Sequence, residues 1–187
     1  MQSTNETISH PLGVGEPAPT FEAQPVFGLP VAVPTPSQPL VLLFIRHLGD
    51  PFARQTIVEA QARYADFDRR GIKLAAVTQT DLTFARDFVP RNHVLFPIVT
   101  DPEGHLQRLY GIDRDPYLLD SLKAALTGCK SRLVAALQMG HGKKAGPFRQ
   151  LPAEFVIDTN GSLVYAHYGQ SITDGPNIDQ LLEAASD

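Results

Sequence analysis

A single cysteine, Cys129, among 187 residues rules out an internal disulfide and any two-cysteine redox cycle within one chain. It also removes thiolate-rich metal centres from consideration. Positive charge is in the minority: 16 Lys and Arg stand against 20 Asp and Glu, giving a net charge of −4 and a pI near 5.8. Nucleic acid is therefore not an expected partner. No apolar run reaches the roughly 18 residues that a membrane span needs. The first twenty residues lack the basic segment followed by an apolar one that a secretory signal requires. These absences lead to the expectation of a soluble, cytoplasmic protein that does not enter a membrane.

Several catalytic signatures are missing too. The six histidines at 10, 47, 93, 105, 141 and 167 show no HxH or HExxH spacing, so neither a metal site nor a cofactor is expected. There is no GxSxG elbow. "GVGEPAP" has no strand before it and prolines after it, which excludes a dinucleotide fingerprint.

What is present is an ordinary globular composition, 43% hydrophobic and 19% charged, in a chain long enough for one domain that buries roughly 70% of its unfolded surface. Residues 1–20, with Pro11, Pro17 and Pro19, have no period and read as a mobile leader, with order beginning near Phe21 and one domain over 21–187. "FEAQPVFGLPVAV" alternates about Gly28 and Leu29 and suggests a short hairpin or two edge strands. "PLVLLFIR", 39–46, and "IKLAAVT", 72–78, are continuous apolar runs of the kind found in strands buried on both faces.

Between those runs, Asp50 suits an N-cap and Pro51 a first helical position. Ala53, Ile57, Ala60, Tyr64 and Phe67 then recur at helical spacing until Gly71 stops the helix. Strand, helix, strand with short links makes a parallel crossover and an α/β architecture. A helix about Leu82–Val89, a strand over Leu95–Thr100 and a turn or two of helix in "DPEGHLQRLYGI" follow. "EFVIDTNGSLVYAHY" is a hairpin about Asn160-Gly161, and Ile178 to Ala185 is helical. A stripe of Leu118, Leu122, Leu126, Cys129, Leu133 and Leu137 predicts a helical insertion at about 115–138, in which Cys129 is a buried small hydrophobe.

"GEPAPTFEA", "VLLFIRHLGDPFARQ", "FPIVTDPEGHLQRLYGI" and "QLPAEFVIDTNGSLVYAHYG", in this order, resemble the peroxiredoxin-like family (alkyl hydroperoxide reductase/thiol-specific antioxidant, or redoxin) over roughly Gly15 to Ala185. The resemblance implies a thioredoxin-like three-layer fold with a central mixed sheet flanked by helices. It also places the reactive site in the loop after the first core strand, where the family typically carries Cys-Pro-Phe-Cys. This chain has Asp50-Pro51-Phe52-Ala53 there. Neither a carboxylate nor a methyl group forms a sulfenic acid or a mixed disulfide.

Asp50 thus has two readings, an N-cap worth about 1 kcal/mol or a carboxylate at the old reactive position. Capping bonds and the positive helix end favour its ionised form, which argues against a general acid. Arg46 and His47 just upstream are placed to bracket an anionic ligand, with Asp50 orienting one of them. By resemblance, Pro152 matches the cis-proline facing the active helix of thioredoxin folds, which implies a cis Leu151-Pro152 bond and presents Arg149 and Gln150 toward Asp50. Phe52 joins this ligand-binding set, as does His141 in the glycine-rich basic loop "GHGKKAGP", 140–147.

The leading functional expectation is a redoxin that has lost its thiol chemistry and uses the former mouth to bind a small molecule or a partner protein. The alternatives are a non-redox enzyme using Arg46, His47 and Asp50 for acid/base or oxyanion work, and a one-cysteine peroxidase acting through Cys129. A homodimer is compatible with each. A concave pocket of a few hundred Å³ would favour an enzyme, and a filled mouth a partner-binding role.

Overall fold

The computed structural model describes residues 11–35, 37–112, 134 and 150–186. Apart from Val134, the expected insertion at 115–138, with Cys129, lies outside these residues, as do the loop at 140–147 with His141, and Arg149.

Leu40–Ile45 (β3) and Lys73–Thr78 (β4) run parallel in register, Leu40 opposite Lys73 and Ile45 opposite Thr78. Ile98–Thr100 (β5) joins β4 in parallel. On the other side of β3 come Ala153–Ile157 (β6) and then Leu163–Tyr168 (β7), each antiparallel to its neighbour. The result is a mixed five-stranded sheet in the order β5-β4-β3-β6-β7. Every residue of β3 is buried, as its unbroken apolar sequence requires of a strand covered on both faces.

Alternation divides the strand side chains between two cores. Val41, Leu43 and Ile45 face helices Pro51–Ala62 (α1), Tyr64–Arg69 (α2), Leu82–Arg91 (α3) and Ile178–Ala184 (α5). Leu40, Leu42 and Phe44 face the two-stranded hairpin of Phe21–Ala23 (β1) and Val31–Val33 (β2), together with His105–Leu109 (α4). This is the α/β three-layer fold expected from the sequence. On the hairpin side, Tyr110 lies 5.1 Å from the Phe44 ring and 5.0 Å from that of Phe155, and burial pushes its phenol well above the usual tyrosine range.

Four expectations need correction. Order does not begin at Phe21: Leu12 and Ala18 are buried, Gly15 and Glu16 exchange backbone bonds with Leu163, and the Leu12 N–H donates to the Tyr168 hydroxyl at 2.7 Å. The helix after Asp50 does not continue to Gly71 unbroken. It bends at Arg63 (φ −111°, ψ 6°), whose guanidinium is drawn to Asp66 and, across to α5, to Asp179. The strand expected over Leu95–Thr100 starts only at Ile98, since Pro97 has no N–H to give the ladder. Finally, the cis peptide bond among the described residues is Val33-Pro34 rather than Leu151-Pro152. Pro152 lies just before β6, its carbonyl accepting from Gly169 N–H at 2.9 Å, just past the end of β7.

That approach is tight. A Cβ on Gly169 would lie 2.7 Å from Pro152 Cγ and 2.9 Å from its carbonyl oxygen. Gly169→Ala is therefore expected to destabilise the protein by about 1–3 kcal/mol, the range for overpacking, as measured by urea unfolding.

Candidate functional site

With both faces of the sheet covered, polar side chains can reach the interior only at the strand ends. The C-terminal ends of β3, β4, β5 and β7 and the N-terminal end of β6 share one pole, as the pairing directions require. Apart from Thr35, the buried polar and charged side chains of the described residues gather there.

Asp50 sits at the centre. Its Oδ1 accepts the backbone N–H groups of Phe52 and Ala53, both at 3.0 Å, which is the N-cap expected for α1. Its Oδ2 accepts from Arg46 NH1 at 2.6 Å. Arg46 is 2% exposed and Asp50 5%, so this is a buried ion pair with the helix N-terminus as a third member. Around it the backbone is tied down. Thr78 Oγ1 donates to the Arg46 carbonyl at 2.8 Å, and Thr80 Oγ1 accepts from Leu48 N–H at 2.8 Å.

Asp50 does orient Arg46, as the sequence suggested, but the two do not line an open mouth. His47 is buried as well, its carbonyl accepting from Asp50 N–H at 2.8 Å. Ala53, at the second thiol position, packs into the helix-side core with Ile57. Phe52 and Pro152 meet across a cavity of about 10 Å³, also lined by Arg46, Thr56, Glu154 and Ile172. That is room for about one water molecule. Gln150 is not directed at Asp50: its side-chain amide donates to the neighbouring Leu151 carbonyl at 3.1 Å.

The sequence reading missed Glu154 and His167. Glu154 is 2% exposed, on the same face of β6 as Val156, and lies opposite His167 on β7. Its Oε2 is 2.6 Å from His167 Nδ1. The signal was available: a lone carboxylate within the apolar run "AEFVI" needs a partner. The Glu154 hydrogen bond, reinforced by the charges of Glu154 and Asp174, raises the half-exposed imidazole above its ordinary value of 6.5, against the opposing effect of burial. Asp174, in turn, fixes the loop that closes the pole, accepting from Gln170 N–H at 2.7 Å and Ser171 N–H at 3.1 Å. Among the described residues, no three His, Cys, Asp or Glu side chains are arranged to hold a metal ion, and no helix is long and apolar enough to cross a membrane.

Because the folded-state value of His167 is raised, its contribution to stability is complete below about 6.5 and is lost as pH rises through the raised value. The difference in unfolding free energy between wild type and His167→Ala should therefore be larger near pH 6 than near pH 9. Urea titrations at both pH values measure it, and equal differences would dissociate His167 from the pH response.

The fold recurs in solved structures. Peroxidoxin BcpB from Mycobacterium tuberculosis superposes with a TM-score of 0.66 at 15% identity, covering 92% of this chain and 95% of that one. A peroxiredoxin-like protein from Aquifex aeolicus gives 0.66 at 17% identity, covering 94% and 87%. A putative thiol:disulfide interchange protein DsbE from Chlorobium tepidum gives 0.61 at 22% identity, covering 94% and 99%. No curated protein matches the sequence. The AhpC/TSA family model matches residues 14–166, a span that runs from the buried N-terminal segment through the Asp50 pole to β7, and the chain belongs to that family.

Proposed function

We propose that this member of the AhpC/TSA family has given up thiol peroxidase chemistry, and that the closed pole around Asp50 acts as a docking surface for a partner protein. The observation that carries the reading is the 2.6 Å Arg46–Asp50 pair at the position where the family resemblance expects a thiol. Peroxide reduction needs a thiolate, which attacks the peroxide and becomes a sulfenic acid. A carboxylate has no such oxidation step. Ala53 supplies no second sulfur, and Cys129 is the only cysteine in the sequence.

The small cavity favours docking over capture. About 10 Å³ is far below the roughly 300–1,000 Å³ of a typical small-molecule pocket, so a ligand there would have to be met at the surface. Acid/base chemistry by Arg46, His47 and Asp50 would require substrate to reach side chains on residues only 2, 5 and 5% exposed. A second copy of the chain is one partner consistent with this reading. A cytoplasmic setting also fits, since a lone cysteine offers no internal disulfide to an oxidising compartment.

Purified protein given hydrogen peroxide and a thiol reductant is expected to show no turnover above the rate of the reductant alone, and Cys129→Ser is expected to behave as wild type. Turnover that Cys129→Ser abolishes would overturn the proposal and assign the chemistry to Cys129.

A further inference from the structure

The opposite pole of the sheet, where β3 and β4 begin at Leu40 and Lys73, is open where the Asp50 pole is closed. A cleft of about 310 Å³ lies there, bounded by β2, the starts of β3 and β4, Pro97 and α2. Its inner walls are apolar. Val31 and Leu40 come from the hairpin-side core, and Ile72 and Leu74 from the helix-side core, so the two cores surface together in one depression. This volume is at the lower end of the range for small-molecule sites and suits a molecule of amino-acid size.

The rim carries charge of both signs. Asp68, on α2, and Lys73, at the start of β4, are exposed and line the cleft. Among the described residues neither side chain forms an ion pair or a hydrogen bond with another group. A ligand of one charge would be attracted by one of them and repelled by the other. A ligand that carries both a carboxylate and an ammonium group is complementary to the pair. Tyr64 and Gln38 add polar groups beside them.

We infer that this cleft binds a small apolar zwitterion of the free α-amino acid class. The carboxylate lies on Lys73, the ammonium on Asp68, and the side chain against the exposed Leu29 and Pro30 and the half-buried Tyr64 of the same cleft. The site is independent of the Asp50 pole and of whether thiol chemistry survives there.

Calorimetric titration of the full chain with L-phenylalanine and L-leucine tests the inference, with phenylalaninamide, which lacks the carboxylate, and 3-phenylpropionate, which lacks the ammonium group, as probes of each charge. Saturable binding of at least one amino acid is expected, weakened about tenfold or more in both truncated probes. Lys73→Glu and Asp68→Lys are expected to weaken it likewise. Both positions are on the surface, where substitution is tolerated, and unchanged circular dichroism melts would confirm folding. Amide chemical shifts should move at Ile72 and Lys73. No saturable binding at millimolar concentration, equal affinity for the truncated probes, indifference to both variants, or shifts confined to the Asp50 pole would each overturn it.

Discussion

Arg46 and Asp50 form a charge pair 2.6 Å apart, almost entirely removed from water, and the first turn of α1 is built onto it. Taking two ions out of solvent is expensive, and their attraction offsets that loss only where further hydrogen bonds occupy the remaining donors and acceptors. For the carboxylate, the α1 N-terminus supplies them: one oxygen faces the guanidinium and the other takes two backbone N–H groups. The same carboxylate therefore ends a strand loop, starts a helix and neutralises a buried arginine. With both oxygens engaged, the carboxylate holds the loop and the helix start together.

This arrangement follows from a sheet buried on both faces. Apolar residues fill β3 and β4, and the polar groups that must be buried are confined to the strand ends, where backbone turns and helix termini offer partners. Thr78, Thr80 and Asp101 perform that role beside Asp50, with Asp101 N–H bonded to the Thr78 carbonyl at 2.7 Å and the Asp101 side chain receiving His105 N–H at 2.8 Å. Glu154 and His167 extend the network toward β7. At the far pole, among the described residues, no comparable network fills the strand ends, and a cleft lies there.

Much of the architecture was legible because it rests on local signals. Unbroken apolar runs marked β3 and β4, Asp50-Pro51 marked the start of α1, and Asn160-Gly161 marked the last hairpin. What was not legible depends on distant contacts. The segment at 11–20 looks unstructured alone and becomes ordered through distant partners, among them Tyr110, Gly161, Leu163 and Tyr168. The bend at Arg63 involves a contact to Asp179, 116 residues away. At the site, the sequence brought Arg46, His47 and Asp50 together because they are neighbours along the chain, and correctly made Asp50 a cap. It could not show that the loop is buried rather than open, which depends on Phe52, Pro152 and Ile172 converging from three separate segments. Glu154 and His167 are 13 residues apart and meet only through the β6–β7 register.

The central claim is that the Arg46–Asp50 pair locks this pole in place of a reactive thiol. A double-mutant cycle on unfolding free energy tests it most directly, with Arg46→Met and Asp50→Asn, the second retaining a side-chain oxygen able to cap α1. The account predicts a coupling energy of about 1.5–3 kcal/mol between the two positions. Additive effects, with coupling near zero, would contradict it and leave Asp50 as a helix cap that happens to lie beside an arginine.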